Sequence, residues 1–406
     1  MSPLKKISLI IAFLAVSGLI GYGLYYIFTR PVVPAQKPPA VTLPTGQLPS
    51  AGERPATTSV TGEPTGGELL PIAGIIQPTT PSFYKPVAVN RIVSNMVTSP
   101  SLNGKGDFRY YNASNGKFYK IMPDGSVKVL SDQVFFSAQK VTWAANQDKA
   151  VIEYPDSSKI IYDFANKKQV TLPKHWQDFS FSADGAQVAA KSIGLSPENR
   201  WLVTVNDDGT GSRLIEPLGE NADKVIVNWS PSRQVVAFSQ TGEPMGAERR
   251  EVLFVGLNGE NFKSTIVEGM GFEPKWSTTG KKLLYNVYSS RSDYKPELWL
   301  VDSYGDSIGN NRQTLKLNTW ADKCSFSDDS TLFCAVPRDL PQGAAMAREI
   351  ASNNYDDLYK IDLRTGLKTA VPLNDNYNIT NLSYDPTTNK VIFTSLNQQG
   401  VFESQL

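Results

Sequence analysis

Short apolar runs alternate with turn residues along most of the chain, and one two-strand pattern occurs in six copies. Each copy has an aromatic residue on a first strand, a turn rich in Ser, Asp, Pro and Gly, and a second apolar strand. The aromatic residues lie 38 to 58 residues apart, and they are Trp143, Phe181, Trp229, Trp276, Phe326 and Tyr384. A further strand–turn–strand pattern follows each copy. One unit therefore contains four antiparallel strands, which is typical of a β-propeller blade, and we expect the aromatic residue to pack against a neighbouring blade.

The number of blades follows from the two ends of the repeat. A weaker unit spans residues 95–130, which makes seven units in all, and the last unit lacks its fourth strand because only residues 400–404 remain for a third. A spare strand-like run precedes the first unit. Pairing residues 85–92 with the last unit would leave no open sheet edge. We therefore predict an all-β propeller of seven four-stranded blades, with six or eight as alternatives.

The first 83 residues differ in kind from the repeat. Residues 7–28 carry no charge and are preceded by two lysines, so they are long enough to span a bilayer with the N-terminus in the cytoplasm. A cleaved signal peptide is the alternative. Residues 31–83 are rich in Pro, Thr and Gly, which predicts an extended, disordered stalk. We thus expect a transmembrane anchor in residues 1–30, a stalk, and a propeller in residues 84–406 outside the cytoplasm.

Charge and composition limit the functions that the chain can have. The net charge is +1, from 40 basic and 39 acidic side chains, so no basic face for nucleic acid is expected. His175 is the only histidine, which leaves no material for a catalytic triad and little for a zinc site. No Gly-rich phosphate loop follows a strand. We predict no catalytic residue, metal or cofactor, although a carboxylate pair across the central channel stays an alternative.

Cys324 and Cys334 are the only cysteines, and each lies five residues from Asp329 in the turn between them. This spacing makes them cross-strand neighbours in one hairpin. A disulfide would persist outside the cytoplasm. The matching positions in other units are apolar, so two buried free thiols fit the sequence equally well. Both alternatives remain open at this point.

Two insertions interrupt the regular strands, at residues 240–250 and 338–354. Long loops on a rigid scaffold commonly carry binding sites. A solvent-exposed loop without a binding role is the alternative. The candidate partner-binding residues in these loops are Arg249, Arg250, Met346 and Arg348.

One repeat copy resembles a known family. Residues 229–238 read Trp-Ser-Pro, four further residues and then Val-Ala-Phe, which is similar to the repeat of TolB-like propellers, a WD-repeat-like fold; weaker copies begin at Phe181 and Phe326. The similarity covers roughly residues 95–400. It implies an extracytoplasmic scaffold that binds other proteins.

The sequence as a whole predicts a membrane-anchored, extracytoplasmic β-propeller that serves as a protein-interaction scaffold in the cell envelope. The expected partners are the membrane, through the N-terminal helix, and an envelope protein of unspecified identity. A hydrolase or lyase with a site in the central channel is one alternative. A carbohydrate-binding surface module is the other.

Overall fold

The computed structural model describes residues 16, 19, 22, 85–260 and 262–406. These residues form seven antiparallel sheets of four strands each. The strands are β1 (Val89–Val93), β2 (Thr98–Leu102), β3 (Phe108–Asn112), β4 (Lys117–Ile121), β5 (Val127–Val129), β6 (Lys140–Trp143), β7 (Lys149–Glu153), β8 (Lys159–Asp163), β9 (Lys168–Leu172), β10 (Trp176–Phe181), β11 (Gln187–Ile193), β12 (Arg200–Asn206), β13 (Arg213–Pro217), β14 (Val225–Val227), β15 (Val235–Ser239), β16 (Arg250–Gly256), β17 (Thr265–Val267), β18 (Met270–Trp276), β19 (Lys282–Tyr288), β20 (Glu297–Asp302), β21 (Gln313–Thr314), β22 (Cys324–Asp328), β23 (Thr331–Pro337), β24 (Asp356–Asp362), β25 (Lys368–Val371), β26 (Ile379–Asp385), β27 (Lys390–Ser395) and β28 (Val401–Gln405).

Helical segments within residues 85–260 and 262–406 are short 3₁₀ turns in the connections between strands. They are η1 (Pro197–Asn199), η2 (Gly219–Lys224), η3 (Ser290–Ser292), η4 (Gly305–Ser307), η5 (Ala321–Lys323) and η6 (Arg348–Ala351). In the part of the chain that the structure describes, no helix has the length and apolar character needed to cross a bilayer. The predicted anchor and stalk lie outside the described residues, except for positions 16, 19 and 22.

Six blades are built from four consecutive strands, and the seventh combines both ends of the propeller. Strands β26, β27 and β28 provide its first three strands, and β1 pairs with β28 as the fourth. The register joins Val89 to Ser404 and Val93 to Val401. The predicted seven blades and the predicted closure by the segment before the first unit are both confirmed.

The first strands of the blades lie around the central channel, and the repeated aromatic residues pack between blades. Trp143 lies 5.5 Å from Phe118 of the preceding blade, measured between ring centroids. Trp276 stacks on Phe238 at 5.1 Å and Tyr384 on Phe333 at 4.8 Å, again across a blade boundary. Aromatic pairs of this kind stabilise by about 1 kcal/mol beyond the area they bury. The aromatic residues therefore fill the space between blades, as predicted.

The alternation of strand direction gives the propeller two different faces. Turns between first and second strands, and between third and fourth strands, lie on one face, which we call the turn face. Loops between second and third strands and the connections between blades lie on the opposite face, which we call the loop face. Both sequence insertions connect a second strand to a third, so both lie on the loop face.

Candidate functional site

Exposed apolar side chains are concentrated on the loop face. Within residues 85–260 and 262–406, fourteen large apolar side chains are exposed, three on outer strands and two on the turn face. The other nine lie on the loop face, and they are Met96, Val134, Phe136, Leu195, Met245, Met346, Ile350, Tyr355 and Leu396. Scattered apolar residues are normal on a protein surface, so the uneven distribution makes the loop face the candidate binding surface.

The insertion in the fourth blade is held by a loop of the fifth blade. The carboxylate of Glu248 accepts hydrogen bonds from the backbone N–H of Ser290 at 2.8 Å and from its hydroxyl at 2.7 Å. These bonds favour the ionised form and hold the pKa of Glu248 below its ordinary value. The insertion is therefore fixed at its exposed end as well as at its two strands.

The insertion in the sixth blade contacts the same fifth-blade loop from the other side. The N–H of Gly343 donates to the carbonyl of Asp293 at 2.9 Å, and the N–H of Ala345 donates to that of Tyr294 at 3.0 Å. Asp293 and Tyr294 have φ values of 53° and 55°, which is costly for residues other than glycine. The hydrogen bonds offset this strain. Residues 240–249, 289–296 and 338–355 thus form one connected surface, which we call the three-loop surface.

A small apolar cluster supports the sixth-blade insertion from below. Leu340, Ala344 and Ala351 are buried against Trp320, which precedes η5. Arg348 stacks over the Trp320 ring at 4.6 Å and forms a bidentate ion pair with Asp322 at 2.9 and 3.0 Å. The loop is therefore a packed part of the propeller, although its sequence is polar and rich in small residues.

The four sequence-predicted residues occur at or beside this surface, but their side chains differ in role. Arg249 pairs with Glu268 at 3.0 Å, and Arg250 donates to the side chain of Gln240 at 3.2 Å. Arg348 is bound internally, as described above. Met346 is 64% exposed and is available to a partner.

Sequence reasoning missed Met245, Ile350 and Tyr355, which are exposed on the same surface. The pattern that could have identified them is the presence of large apolar residues inside otherwise polar insertions. The sequence analysis instead selected three arginines, because of their charge, together with Met346. Whether any of these side chains contacts a partner stays a prediction.

Ionisable groups also meet at the loop-face end of the channel. Glu273 lies on β18; burial raises its pKa, Asp322 adds to this effect, and Arg348 opposes it. Lys275, two residues further on the same strand, donates to the carbonyl of Cys324, and burial lowers its pKa. Among the described residues, no group of three or more His, Cys, Asp or Glu side chains is placed to hold a metal ion.

The turn-face end of the channel opens into an apolar cavity of about 350 Å³ whose lining comes from all seven blades. Trp229 is part of this lining and is 6% exposed. In two other blades the corresponding indole N–H groups have acceptors. Trp143 donates to the carbonyl of Ser99 at 2.7 Å, and Trp276 donates to the carbonyl of Asn228 at 3.2 Å. The indole N–H of Trp229 has no acceptor within the described residues. The cavity is large enough for a small ligand or a protruding side chain.

Cys324 and Cys334 face each other directly across β22 and β23, as the spacing predicted. Their sulfur atoms lie 2.12 Å apart, and both residues are fully buried. The structure therefore holds the pair as a disulfide, one of the two predicted alternatives. Its persistence in the native compartment stays a prediction.

No protein-family model matches the sequence, and no curated protein matches it. Among solved structures, the fold is similar to an oligogalacturonate lyase in complex with manganese, at 13% identity over 78% of this chain and 93% of that chain, with a TM-score of 0.53. The β-propeller domain of Cps50 (Swd1) from Myceliophteria thermophila is similar at 13% identity over 78% and 99% of the two chains, with a TM-score of 0.51.

TolB from Acinetobacter baumannii also matches, at 13% identity over 66% of this chain, with a TM-score of 0.42. The chain spans 64% of that TolB and 34% of the tricorn protease, a further match. Identities this low show the fold alone. The comparisons therefore support a β-propeller and select no activity for it.

Proposed function

We propose that this chain is a membrane-anchored, extracytoplasmic β-propeller that acts as a protein-interaction scaffold in the cell envelope. The observation that carries the proposal is the concentration of exposed apolar side chains on the loop face, nine of the fourteen in the propeller. Protein interfaces are enriched in methionine and aromatic residues. The nine exposed apolar side chains of the loop face include three methionines and two aromatic residues.

The anchor and the location rest on the sequence. Residues 7–28 form an uncharged run of spanning length behind two lysines, and the Pro-rich residues 31–83 separate it from the propeller. Protease added to cells that have lost the outer layers of the envelope, but whose cytoplasmic membrane is intact, should then digest the propeller while a cytoplasmic marker survives. Protection of the propeller until the cytoplasmic membrane is broken would refute the extracytoplasmic location.

The binding role is tested with two substitutions at equally exposed positions on opposite faces. Met346, on the loop face, is 64% exposed, and Leu367, on the turn face, is 65% exposed. The full chain is cross-linked in native membranes and isolated. A partner that is lost with Met346→Asp and retained with Leu367→Asp supports the proposal. Retention of all partners in both variants would contradict it, because the apolar loop face would then have no role in binding.

A ligand site in the central channel is the second candidate, and the apolar cavity at the turn-face end supports it. A glycan-binding screen, combined with assays for hydrolysis and elimination, separates this candidate from the scaffold. Binding that is weakened by bulk introduced at Ala183, which lines the cavity, would favour the channel.

A further inference from the structure

We infer that the apolar cavity at the turn-face end of the channel binds one uncharged sugar residue, by aromatic packing and by hydrogen bonds to Trp229, Thr278 and Ser327. This inference rests on the second candidate function, the ligand site in the channel, and names its ligand. The scaffold function of the loop face does not depend on it. The cavity volume of about 350 Å³ is at the lower end of the range for small-molecule sites, so it suits a ligand of one ring.

The cavity is lined by aromatic side chains from four different blades. They are Phe181, Trp229, Phe326 and Tyr384, and the first three are 6–7% exposed. The faces of aromatic rings carry partial negative charge. The C–H bonds on the less polar side of a sugar ring carry partial positive charge, so they pack favourably on such faces. Because one cavity collects all four side chains, a ligand inside it can contact rings from several blades at once.

Ser327 differs from the serines at the same position of other blades. Ser182, Ser230 and Ser277 also follow the repeated aromatic residue, and each hydroxyl accepts a hydrogen bond from the backbone N–H five residues further on, at 3.0–3.1 Å. In the sixth blade the pairing of β22 with β23 extends further into the turn, and no such bond forms. The Ser327 hydroxyl has no hydrogen bond within the described residues and lines the cavity. It is therefore available to a ligand hydroxyl.

Two further hydrogen-bonding groups of the lining are unused. The hydroxyl of Thr278 has no hydrogen bond within the described residues, and the indole N–H of Trp229 has no acceptor among them. A buried donor without an acceptor lowers stability, and a ligand oxygen beside it would recover that loss. Hydroxyl groups both donate and accept, so they match this mixture of groups. A sugar presents several hydroxyl groups beside an apolar ring face, as the lining requires.

The charges of the lining favour an uncharged ligand. Among the described residues that line the cavity, none is lysine, arginine or histidine, and Asp385 is the only acidic one. Asp385 is 1% exposed, and its carboxylate accepts hydrogen bonds from Thr387 at 2.6 and 2.9 Å and from Thr388 at 2.6 Å. Lys105, which is exposed, lies outside this lining. A ligand carboxylate would lose its hydration beside Asp385 without gaining a cation.

The experiment titrates the full chain, purified in a detergent without sugar groups, with glucose, galactose and mannose. Each sugar is compared with the uronic acid of the same ring configuration, and indole is the apolar probe. Saturation-transfer NMR detects binding, and a titration gives the Kd. We expect at least one neutral sugar to bind, and its uronic acid to bind at least about tenfold more weakly, because the carboxylate is desolvated without a counter-charge.

Substitutions with matched controls then locate the site. Ala183→Phe places a ring in the cavity and should abolish binding, whereas Ala165→Phe adds the same bulk to a different turn-face cavity and should leave the Kd within about twofold. Ser327→Ala and Thr278→Val should each weaken binding about three- to tenfold by removing one hydrogen bond. Thr369→Val is the control for the loss of an exposed hydroxyl on an outer strand.

The indole N–H is tested by Trp229→Phe against Trp276→Phe. Both changes remove the same ring volume, but only Trp229 lines the cavity. We expect weaker sugar binding in the first variant alone. Thermal unfolding of each variant checks that the propeller is intact. If Ala183→Phe unfolds, Ala183→Leu replaces it, and a smaller loss of binding in the same direction is expected.

Several outcomes would overturn the inference while sparing a ligand site in the channel. They are a uronic acid that binds as tightly as its neutral sugar, or indole binding without sugar binding, if either is lost in Ala183→Phe. Sugar binding that is lost in Ala165→Phe and kept in Ala183→Phe would overturn both the inference and the channel site. Absence of binding by every probe would also remove both. None of these results bears on the loop face.

Discussion

Replacing Lys323 with methionine should destabilise the propeller by about 3–5 kcal/mol, because it removes one partner of a buried ion pair. The ammonium group of Lys323 lies 2.8 Å from both carboxylate oxygens of Asp356. The two residues are 4% and 3% exposed. Asp356 also accepts a hydrogen bond from the N–H of Ile379 at 2.6 Å, which links the sixth blade to the seventh. The pair stabilises the ring beside its closure and lies at the base of the three-loop surface.

The pH dependence of the variant identifies the cause of the loss. Burial already raises the pKa of Asp356 in the native protein, and Lys323 opposes that rise. Without the lysine, the folded-state pKa of Asp356 rises further above its unfolded value. The folded state then binds more protons, so stability falls as pH rises. Between about pH 4 and that raised pKa, the free energy of unfolding should change by about 1.4 kcal/mol per pH unit.

Urea unfolding of the full chain at several pH values measures both effects. The double variant Lys323→Met, Asp356→Asn is the control, because an asparagine oxygen can still accept the hydrogen bond from Ile379 without carrying a charge. We expect it to recover most of the lost stability. A single variant that loses less than about 1 kcal/mol, or a loss that does not depend on pH, would refute the assignment of a buried, desolvated pair.

Four further variants test other parts of the structure. Changing Cys324 and Cys334 to alanine should lower the free energy of unfolding by about 3 kcal/mol, because the disulfide no longer restricts the unfolded chain. Reductant should lower the free energy of unfolding of the wild-type chain by a similar amount. Identical unfolding curves for the wild-type chain with and without reductant would mean that the two cysteines are free thiols. Trp276→Phe and Trp229→Phe both remove ring volume, but only Trp276→Phe also removes a hydrogen bond, because the N–H of Trp229 has no acceptor within the described residues. We therefore expect Trp276→Phe to lower the free energy of unfolding by about 1 kcal/mol more than Trp229→Phe in urea unfolding, and equal losses would contradict this contrast. Gly400→Ala should lower the melting temperature, because a Cβ there would collide with the first strand that closes the ring.

The blades and their closure could be predicted from sequence because each repeat carries its own aromatic residue and turn. Trp143, Trp276 and Tyr384 pack between blades in the same way, so one local pattern reports a repeated tertiary contact. The closure was predictable because the last unit lacked a strand and the first was preceded by a spare one. The local sequence pattern was therefore sufficient to predict the contacts that recur from blade to blade.

The three-loop surface could not be predicted, because its contacts join residues far apart in sequence. Ser290 donates a hydrogen bond to the carboxylate of Glu248, which lies 42 positions away in sequence. Arg348 pairs with Asp322, which lies in the connection before the sixth blade. Nothing in the short fifth-blade loop indicates that it receives both insertions. The sequence suggested three arginines together with Met346 as partner contacts, and that role stays a prediction. In the structure the arginines also make contacts within the protein, and both Met346 and Ile350 are exposed.

The difference between the two faces has a physical cause. On the turn face, short turns of neighbouring blades are joined by polar contacts such as Lys149 with Asp207, Arg233 with Asp184, and Thr279 with Asp329. Extra residues in those turns would break contacts that hold the ring. Loops between second and third strands can lengthen without disturbing them, since loop closure costs only a few tenths of a kcal/mol for a modest increase in length. We therefore expect differences in loop length and sequence, and the residues that select a partner, to lie on the loop face. Extending a turn-face turn by three residues should accordingly cost more stability than the same extension of the loop at residues 240–249.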